Sequence, residues 1–355
     1  LTSSVTVVPE MHPSMAQSPQ RERPTLARVA KMAGVAESTA SRILNGYTRG
    51  FRVRPEVRQR VLRAAEELRY KPNPMVRSIS AKQTNLIAVV GWASDGVNRT
   101  AVHEAVRVLM AAGKHVCTTF LQPNVDGHEL PSWRVDGALV VRAREAKDLD
   151  EIEGQQLPYV SINCFTGAGG DSVTFDEAEG TAQAVDHLVS LGHTRIRYTF
   201  LRREQHAGDG LTHAAVHWRR EAYRQRMAHH GLEPLMGHEH EDIDFTDFAR
   251  TYITGGNATA VVAYDDTTAL FLMQAMDELK LSVPEHVSVV AFNDELPARM
   301  STPPLTTVSV PAAEAGRTAA KLLLERLASE EPIGARSIVL DDTLVVRRSS
   351  GPCPE

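Results

Sequence analysis

The sequence predicts an α/β protein in which a small helical domain containing a helix-turn-helix precedes a two-lobed core of doubly wound parallel sheets. Three observations carry this expectation. Two short apolar-periodic segments between Thr25 and Asn45 are separated by only three residues, Gly34-Val35-Ala36, as a helix-turn-helix requires. From Leu86 onward, short apolar runs alternate with amphipathic stretches, the signature of βα units. That rhythm occurs twice, which implies two lobes with a ligand cleft at the carboxyl ends of their strands.

Composition sets the class. With 42% hydrophobic and 23% charged residues across 355 positions, the chain has the balance and length of a soluble protein of two or three domains. No apolar run approaches the roughly 18 residues of a membrane span, and the first twenty residues lack a signal-peptide pattern, so a cytoplasmic location is expected. Cys117, Cys164 and Cys353 are scattered and read as free thiols. The net charge of −5 conceals a division: Arg21 to Ser80 hold fourteen Lys and Arg against five Asp and Glu, a net of +9, while residues 81–355 carry −13. Phosphate attraction is local, screened beyond about 10 Å, so the basic block alone points to a polyanion partner.

Residues 1–23 have no periodicity and read as a disordered leader. Domain boundaries are expected at 24–72 for the helix-turn-helix domain, 73–84 for a linker and 85–350 for the core. Thr25 caps a first helix through Leu26, Val29, Ala30 and Ala33, which Gly34 ends. A second helix, about 37–45, turns Ala40, Ile43 and Leu44 inward. A third, 55–70, starts on Pro55 and buries Val57, Val61, Ala64 and Leu68, leaving Arg58, Arg60 and Arg63 outside. Lys71-Pro-Asn-Pro74 breaks it and permits a short helix over 74–81. In the core, strands are predicted at 86–91, 115–120, 136–141, 157–162, 195–201, 258–263 and 287–292. Helices are predicted at 100–112, 177–191, 216–230, 266–280 and 311–328. The stretch between Phe120 and Val135 is short and turn-rich. The lobes are expected to comprise 85–192 with 293–310, and 193–292 with 311–350.

Thr25 through Gly46, Tyr70-Lys-Pro-Asn73, Leu191-Gly-His193, Val283 through Asp294 and Pro304-Leu-Thr-Thr-Val308 together resemble the lactose-repressor (LacI/GalR) family of bacterial transcription regulators. The resemblance covers residues 24–348 in order. It implies a homodimer with a DNA-binding headpiece, a hinge helix and an effector-binding core similar to periplasmic sugar-binding proteins. The expected function is a transcription regulator, a repressor first, that binds double-stranded operator DNA under control of a small molecule, a sugar before a nucleobase. A recognition helix inserts its N-terminal side chains into the major groove, which selects Glu37, Ser38 and Arg42. Thr25, Thr39 and Ser41 suit phosphate oxygens, and Asn45 completes the candidate DNA surface. Val76 and Ile79 fall at the positions where the family's hinge helix wedges apolar side chains into the minor groove.

In the cleft, the resemblance points to Arg219, Asp265, Asp266 and Asn293, with Phe245 as an aromatic face and Trp92 and Asp176 as weaker candidates from the first lobe. An interlobe salt bridge between Arg219 and Asp266 is the competing role. The chain departs from the pattern at Ala36 and Arg54, which replace side-chain caps, at Asp265, where Asn is common, and at Asn293, where Asp is common. An amide both donates and accepts, so that last exchange changes which ligand groups can be satisfied. No catalytic constellation, cofactor motif or metal-ligand spacing is present. The rivals are a metal-responsive regulator using His213, His217, His229, His230, His238, Glu239, His240, Glu241 and Asp242, and a solute receptor without DNA function.

Overall fold

The computed structural model describes residues 24–45, 53–71, 83–92, 96–120, 130–131, 133–141, 143, 146–199, 214–236 and 244–354. The expected leader and the helix over 74–81 with Val76 and Ile79 lie outside these residues, as do His213 and residues 238–242. The chain separates into two compact units, 1–84 and 85–355.

The N-terminal unit is the predicted three-helix domain: α1 (Leu26–Ala33), α2 (Glu37–Leu44) and α3 (Pro55–Glu67). Thr25 accepts a hydrogen bond from the Arg28 amide at 3.3 Å, capping α1. Gly34 ends it at φ +63°, a conformation that glycine adopts without steric cost. The turn then carries the chain into α2. Neither Ala36 nor Arg54 makes a side-chain cap, as their types require. Val29, Ala30, Ala33, Ala40, Ile43, Val61, Ala64 and Ala65 form the core.

The second unit contains two six-stranded sheets. The first runs β11-β5-β4-β3-β1-β2, built from β1 (Leu86–Trp92), β2 (His115–Phe120), β3 (Gly137–Val140), β4 (Tyr159–Ile162), β5 (Asp171–Phe175) and β11 (Ser337–Leu340), all parallel. One face is covered by α4 (Gly96–Ala111) and α11 (Ala312–Ala328), and the other by the segment around α5 (Asp150–Gly154). The second sheet runs β12-β10-β9-β8-β6-β7, from β6 (Ile196–Thr199), β7 (Leu235–Met236), β8 (Ala260–Ala263), β9 (Ser288–Asn293), β10 (Thr306–Ser309) and β12 (Thr343–Val345). Only β12 is antiparallel, paired with β10. Helices α6 (Glu177–Ser190) and α7 (Ala214–His229) pack on one face. The other face carries α8 (Phe245–Phe248), α9 (Asp266–Glu278) and α10 (Leu296–Met300).

This topology corrects the expected lobe boundaries. Helix α6 belongs to the second lobe, as do the end of β9 and β10; α11 and β11 belong to the first, and only β12 and the C-terminal segment return to the second. Pairing decides it: Thr306 to Ser309 lie alongside Val290 to Asn293, whereas Ser337 to Leu340 lie alongside Ser172 to Phe175. The chain therefore crosses between lobes three times, after Phe175, after Ser309 and after Leu340. The strands β5, β7, β10, β11 and β12 were not expected from periodicity.

The Leu191-Gly-His193 motif has a structural use. His193 is buried, and its Nε2 lies 3.0 Å from the Gly351 carbonyl while Nδ1 lies 3.0 Å from Thr259 Oγ1. Burial lowers its pKa and favours the neutral ring. Nε2–H then donates to the carbonyl, tying the C-terminal segment to the second sheet. In the first lobe, α4 and α11 cross closely at Gly316, where an added Cβ would lie 1.9 Å from the Ala101 carbonyl oxygen. Gly316→Ala must push the helices apart and is expected to destabilise the core by about 1–3 kcal/mol; urea unfolding checks this, and an unchanged midpoint would contradict the close approach.

Candidate effector site and nucleic-acid interface

On the headpiece, helix α2 separates its residues by face, successive positions being about 100° apart. Glu37, Ser38, Ser41, Arg42 and Asn45 share one side, while Ala40 and Ile43 are buried on the other. Glu37, Ser38 and Arg42 are exposed; Thr39 is half-buried at the edge, towards the core. Asn45 Nδ2 donates to Ser41 Oγ at 3.2 Å, holding the C-terminal end of this polar face. Thr25 is exposed at the start of α1, where its oxygen is engaged as the cap and its hydroxyl hydrogen remains available to an acceptor. Arg58, Arg60 and Arg63 are exposed on α3.

In the core, Arg219 from α7 is 3% exposed and stands at the carboxyl ends of the strands of the second sheet. Its Nε donates to Glu177 Oε2 at 2.5 Å and its Nη2 to Glu177 Oε1 at 3.2 Å. Nη1 donates to the Tyr264 carbonyl at 2.7 Å, and Nη1 and Nη2 both reach Asn293 Oδ1 at 3.3 Å. All five N–H groups of the guanidinium are thus occupied. Its plane also lies over the Phe292 ring, 4.2 Å from the centroid. Burial opposes the charge, but Glu177 beside it more than compensates and holds the guanidinium above the usual arginine value. The ion pair is with Glu177 and not with Asp266.

Asp266 has a different set of partners. It is buried at the start of α9 and accepts from the Glu295 amide at 2.7 Å and from Thr307 Oγ1 at 2.8 Å. Burial pushes its pKa up to about 7, against the two hydrogen bonds. Asp265 caps α9, accepting from the Thr268 amide at 2.7 Å, and Asp176 caps α6 through the Glu179 amide at 3.0 Å. Phe245 stacks on Phe271 with centroids 6.4 Å apart, on the face of the second sheet opposite α7. Trp92 ends β1. The structure therefore joins Arg219 to Asn293 directly, sets Asp266 against Thr307, and uses Asp265 and Asp176 as helix caps.

Three residues outside the sequence-based set belong to this region. Glu177 is buried at the first position of α6 and locks Arg219. Asp342, in the third crossover, is 2% exposed, and neither carboxylate oxygen has a hydrogen-bond partner among the described residues. Asp294 is held by Arg299 at 2.9 Å and Arg347 at 2.5 Å. Asn293 and Asp294 have φ of +101° and +54°, a backbone that non-glycine residues seldom adopt and that clusters at functional sites. An acidic residue following the Asp176 cap was the available signal for Glu177, but an acid in a first helical turn ordinarily faces solvent. Of the histidines, His230 Nε2 lies 2.6 Å from Asp186, which Arg226 also grips, and His217 is exposed. Among the described residues no group of three or more His, Cys, Asp or Glu side chains is arranged to hold a metal.

Burial raises Asp342 to about 8, with Glu177, Asp176 and Asp341 adding repulsion and Arg219 opposing it. Asp342 and Asp266 thus hold protons in the native core that the unfolded chain releases near pH 4. Their contribution favours folding at low pH and is lost as pH rises towards about 7 and 8. Asp342→Asn is expected to narrow the gap between the unfolding midpoints measured at about pH 5 and about pH 8.5; thermal melts at both values check it, and an undiminished gap would show that Asp342 is not the group responsible.

Comparison with known proteins agrees with this architecture. Residues 25–73 match the model for bacterial regulatory proteins of the lacI family, and residues 185–350 match that for a periplasmic binding protein-like domain. The HTH-type transcriptional regulator DegA of Bacillus subtilis is 30% identical over 353 residues, covering 92% of this chain and 98% of its own. CelR of Thermobifida fusca is 28% identical, covering 93% of this chain and 99% of its own. Among solved structures, the lac repressor dimer bound to operator and the anti-inducer ONPF superposes with a TM-score of 0.75 at 22% identity, covering 93% of this chain and all of its own. A CelR–cellobiose complex superposes with a TM-score of 0.61 at 26% identity, covering 92% of this chain and all of its own. The helix-turn-helix, the two mainly parallel sheets and this end-to-end similarity establish that the chain belongs to the lacI family of bacterial transcription regulators.

Proposed function

We propose that this regulator acts in the cytoplasm as a homodimeric repressor that reads a pseudo-palindromic operator and changes its affinity when a sugar occupies the cleft between its lobes. The observation that carries the DNA-binding half is the polar face of α2, with Glu37, Ser38 and Arg42 exposed on a packed three-helix domain. In this reading each site residue has a distinct role. Arg42 reads a guanine edge, for which its fork is suited. Glu37 and Ser38 lie at the end of α2 that enters the groove, and Thr25, Thr39, Ser41 and Asn45 orient the domain on phosphates. Val76 and Ile79 wedge the central step of the operator.

Dimerisation is supported by Phe271, Leu296 and Met300, which are 46%, 67% and 73% exposed on the adjoining helices α9 and α10. Large apolar side chains displayed together mark an association surface. The lac repressor, related in fold, binds operator as a dimer. Sugar control is supported by the CelR relative, whose solved complex contains cellobiose. The effector contacts proposed are Arg219, Asn293, Asp265 and Asp266, with Phe245, Trp92 and Asp176 as lesser ones. The reading includes no catalytic step, cofactor or metal. Among the described residues no helix is long and apolar enough to cross a membrane.

Protection mapping on DNA flanking the protein's own gene, repeated with candidate sugars, tests the proposal directly. Arg42→Ala is expected to weaken operator binding by about 1–3 kcal/mol and to relax preference at one base pair in each half-site. Affinity should fall steeply with salt, because Lys and Arg contacts release counterions. Titrations of wild type and variant against operator and random duplex check both, and equal binding to the two duplexes at physiological salt would refute a specific regulator.

A further inference from the structure

Arg219 stands at the carboxyl ends of the second sheet, against Tyr264 and Asn293, and its fork is already full. Each of its five N–H groups meets Glu177, Asn293 or the Tyr264 carbonyl, and the side chain is 3% exposed. For Arg219 to take a phosphate or carboxylate of a ligand it would need free donors and an uncompensated positive charge. Arg219 offers neither, because Glu177 neutralises it at 2.5 Å.

The surrounding groups turn the balance further. Asp342, in the third crossover, packs against α6 at Gly180, where an added Cβ would lie 2.8 Å from its Oδ2, and is buried with both oxygens unpartnered among the described residues. Asp266 lies buried nearby in sequence to the Tyr264 carbonyl that Arg219 grips, held by Thr307 and the Glu295 amide. The resemblance leads to an Asp at position 293, where this chain has Asn. A carboxylate reaches the same guanidinium from α6, at Glu177. Arg219 then holds Asn293 by its Oδ1, so that the amide's Nδ2 is the donor left to a ligand. A hydroxyl, ether or ring oxygen satisfies an amide N–H, whereas an anion gains no free charge from Arg219, which Glu177 already balances.

We infer that Glu177 is a specificity-determining residue which makes Arg219 a positioning group and restricts the effector to uncharged polyhydroxy compounds, excluding their phosphorylated and carboxylated counterparts. This rests on the sugar-controlled regulator proposed above. Calorimetric titration of the full-length protein with ribose, glucose and cellobiose, against ribose 5-phosphate, glucose 6-phosphate and glucuronate, tests it. At least one neutral sugar is expected to bind, with its anionic counterpart at least tenfold weaker. Glu177→Gln, verified as folded by its thermal melt, is expected to shrink that ratio. Glu177→Asp, which retains the charge, is expected to keep it, so a variant that merely loosens packing is distinguished from one that loses charge. An anionic sugar binding wild type as tightly as its neutral partner overturns the exclusion while leaving sugar control standing. An unchanged ratio in folded Glu177→Gln overturns the role of Glu177. Binding of none of the six compounds overturns the sugar-controlled reading itself.

Discussion

The buried pair of Arg219 and Glu177 is the constraint on which the second lobe depends. Glu177 opens α6, directly after the chain has crossed from the first lobe, and Arg219 lies on α7 more than forty residues later. Through the same guanidinium the end of β8, at Tyr264, and the end of β9, at Asn293, are brought to one point. An ion pair out of water is sustained only when nearly all its hydrogen-bonding capacity is met, and here it is met from four separate segments. Removing either partner would leave a buried charge, a change of about 3–5 kcal/mol in comparable cases. The pair therefore defines the site by excluding arrangements that leave it incomplete.

That point lies beside the crossovers. Asp176 and Glu177 end the first and open α6, and Asp342 lies in the third. The alternation of segments also binds the lobes into one unit: α11 and β11 complete the first sheet only after the whole second sheet has been laid down as far as β10. His193 makes a comparable closure at the other end of the second sheet, holding the C-terminal segment through Gly351. A motif that reads from the sequence as a family mark is here a buried tether.

The headpiece was legible almost residue by residue. Its helices are short, and Thr25, Gly34 and Pro55 mark their limits by local chemistry, so periodicity and caps suffice. The five long core helices were likewise found within a few residues, because each buries one apolar stripe, whereas the short α5, α8 and α10 were not. The strands β5, β7, β10, β11 and β12 were not. Asp171 to Phe175 is interrupted by Ser and Thr, and Ser337 to Leu340 alternates between exposed and half-buried positions, so neither has the continuous apolar run that marks a central parallel strand. Their membership follows from partners more than a hundred residues away in the case of β11.

The sequence by itself determined the class of fold, the basic helix-turn-helix, the twice-repeated βα rhythm and the identity of Arg219 as a residue of interest, because each is written in local spacing and composition. Only the tertiary structure decided which lobe owns α6, β10, α11 and β11, since strand pairing is a long-range choice to which local pattern is blind. It also decided what Arg219 does. Asp266 was as plausible a partner as any acid in the sequence, yet Asp266 is taken by Thr307 and the Glu295 amide, and Glu177 is the carboxylate that reaches the guanidinium. Charge and hydrogen-bonding capacity are properties of a residue, but whether they are spent on the protein or left for a ligand depends on which groups the fold brings within about 3 Å.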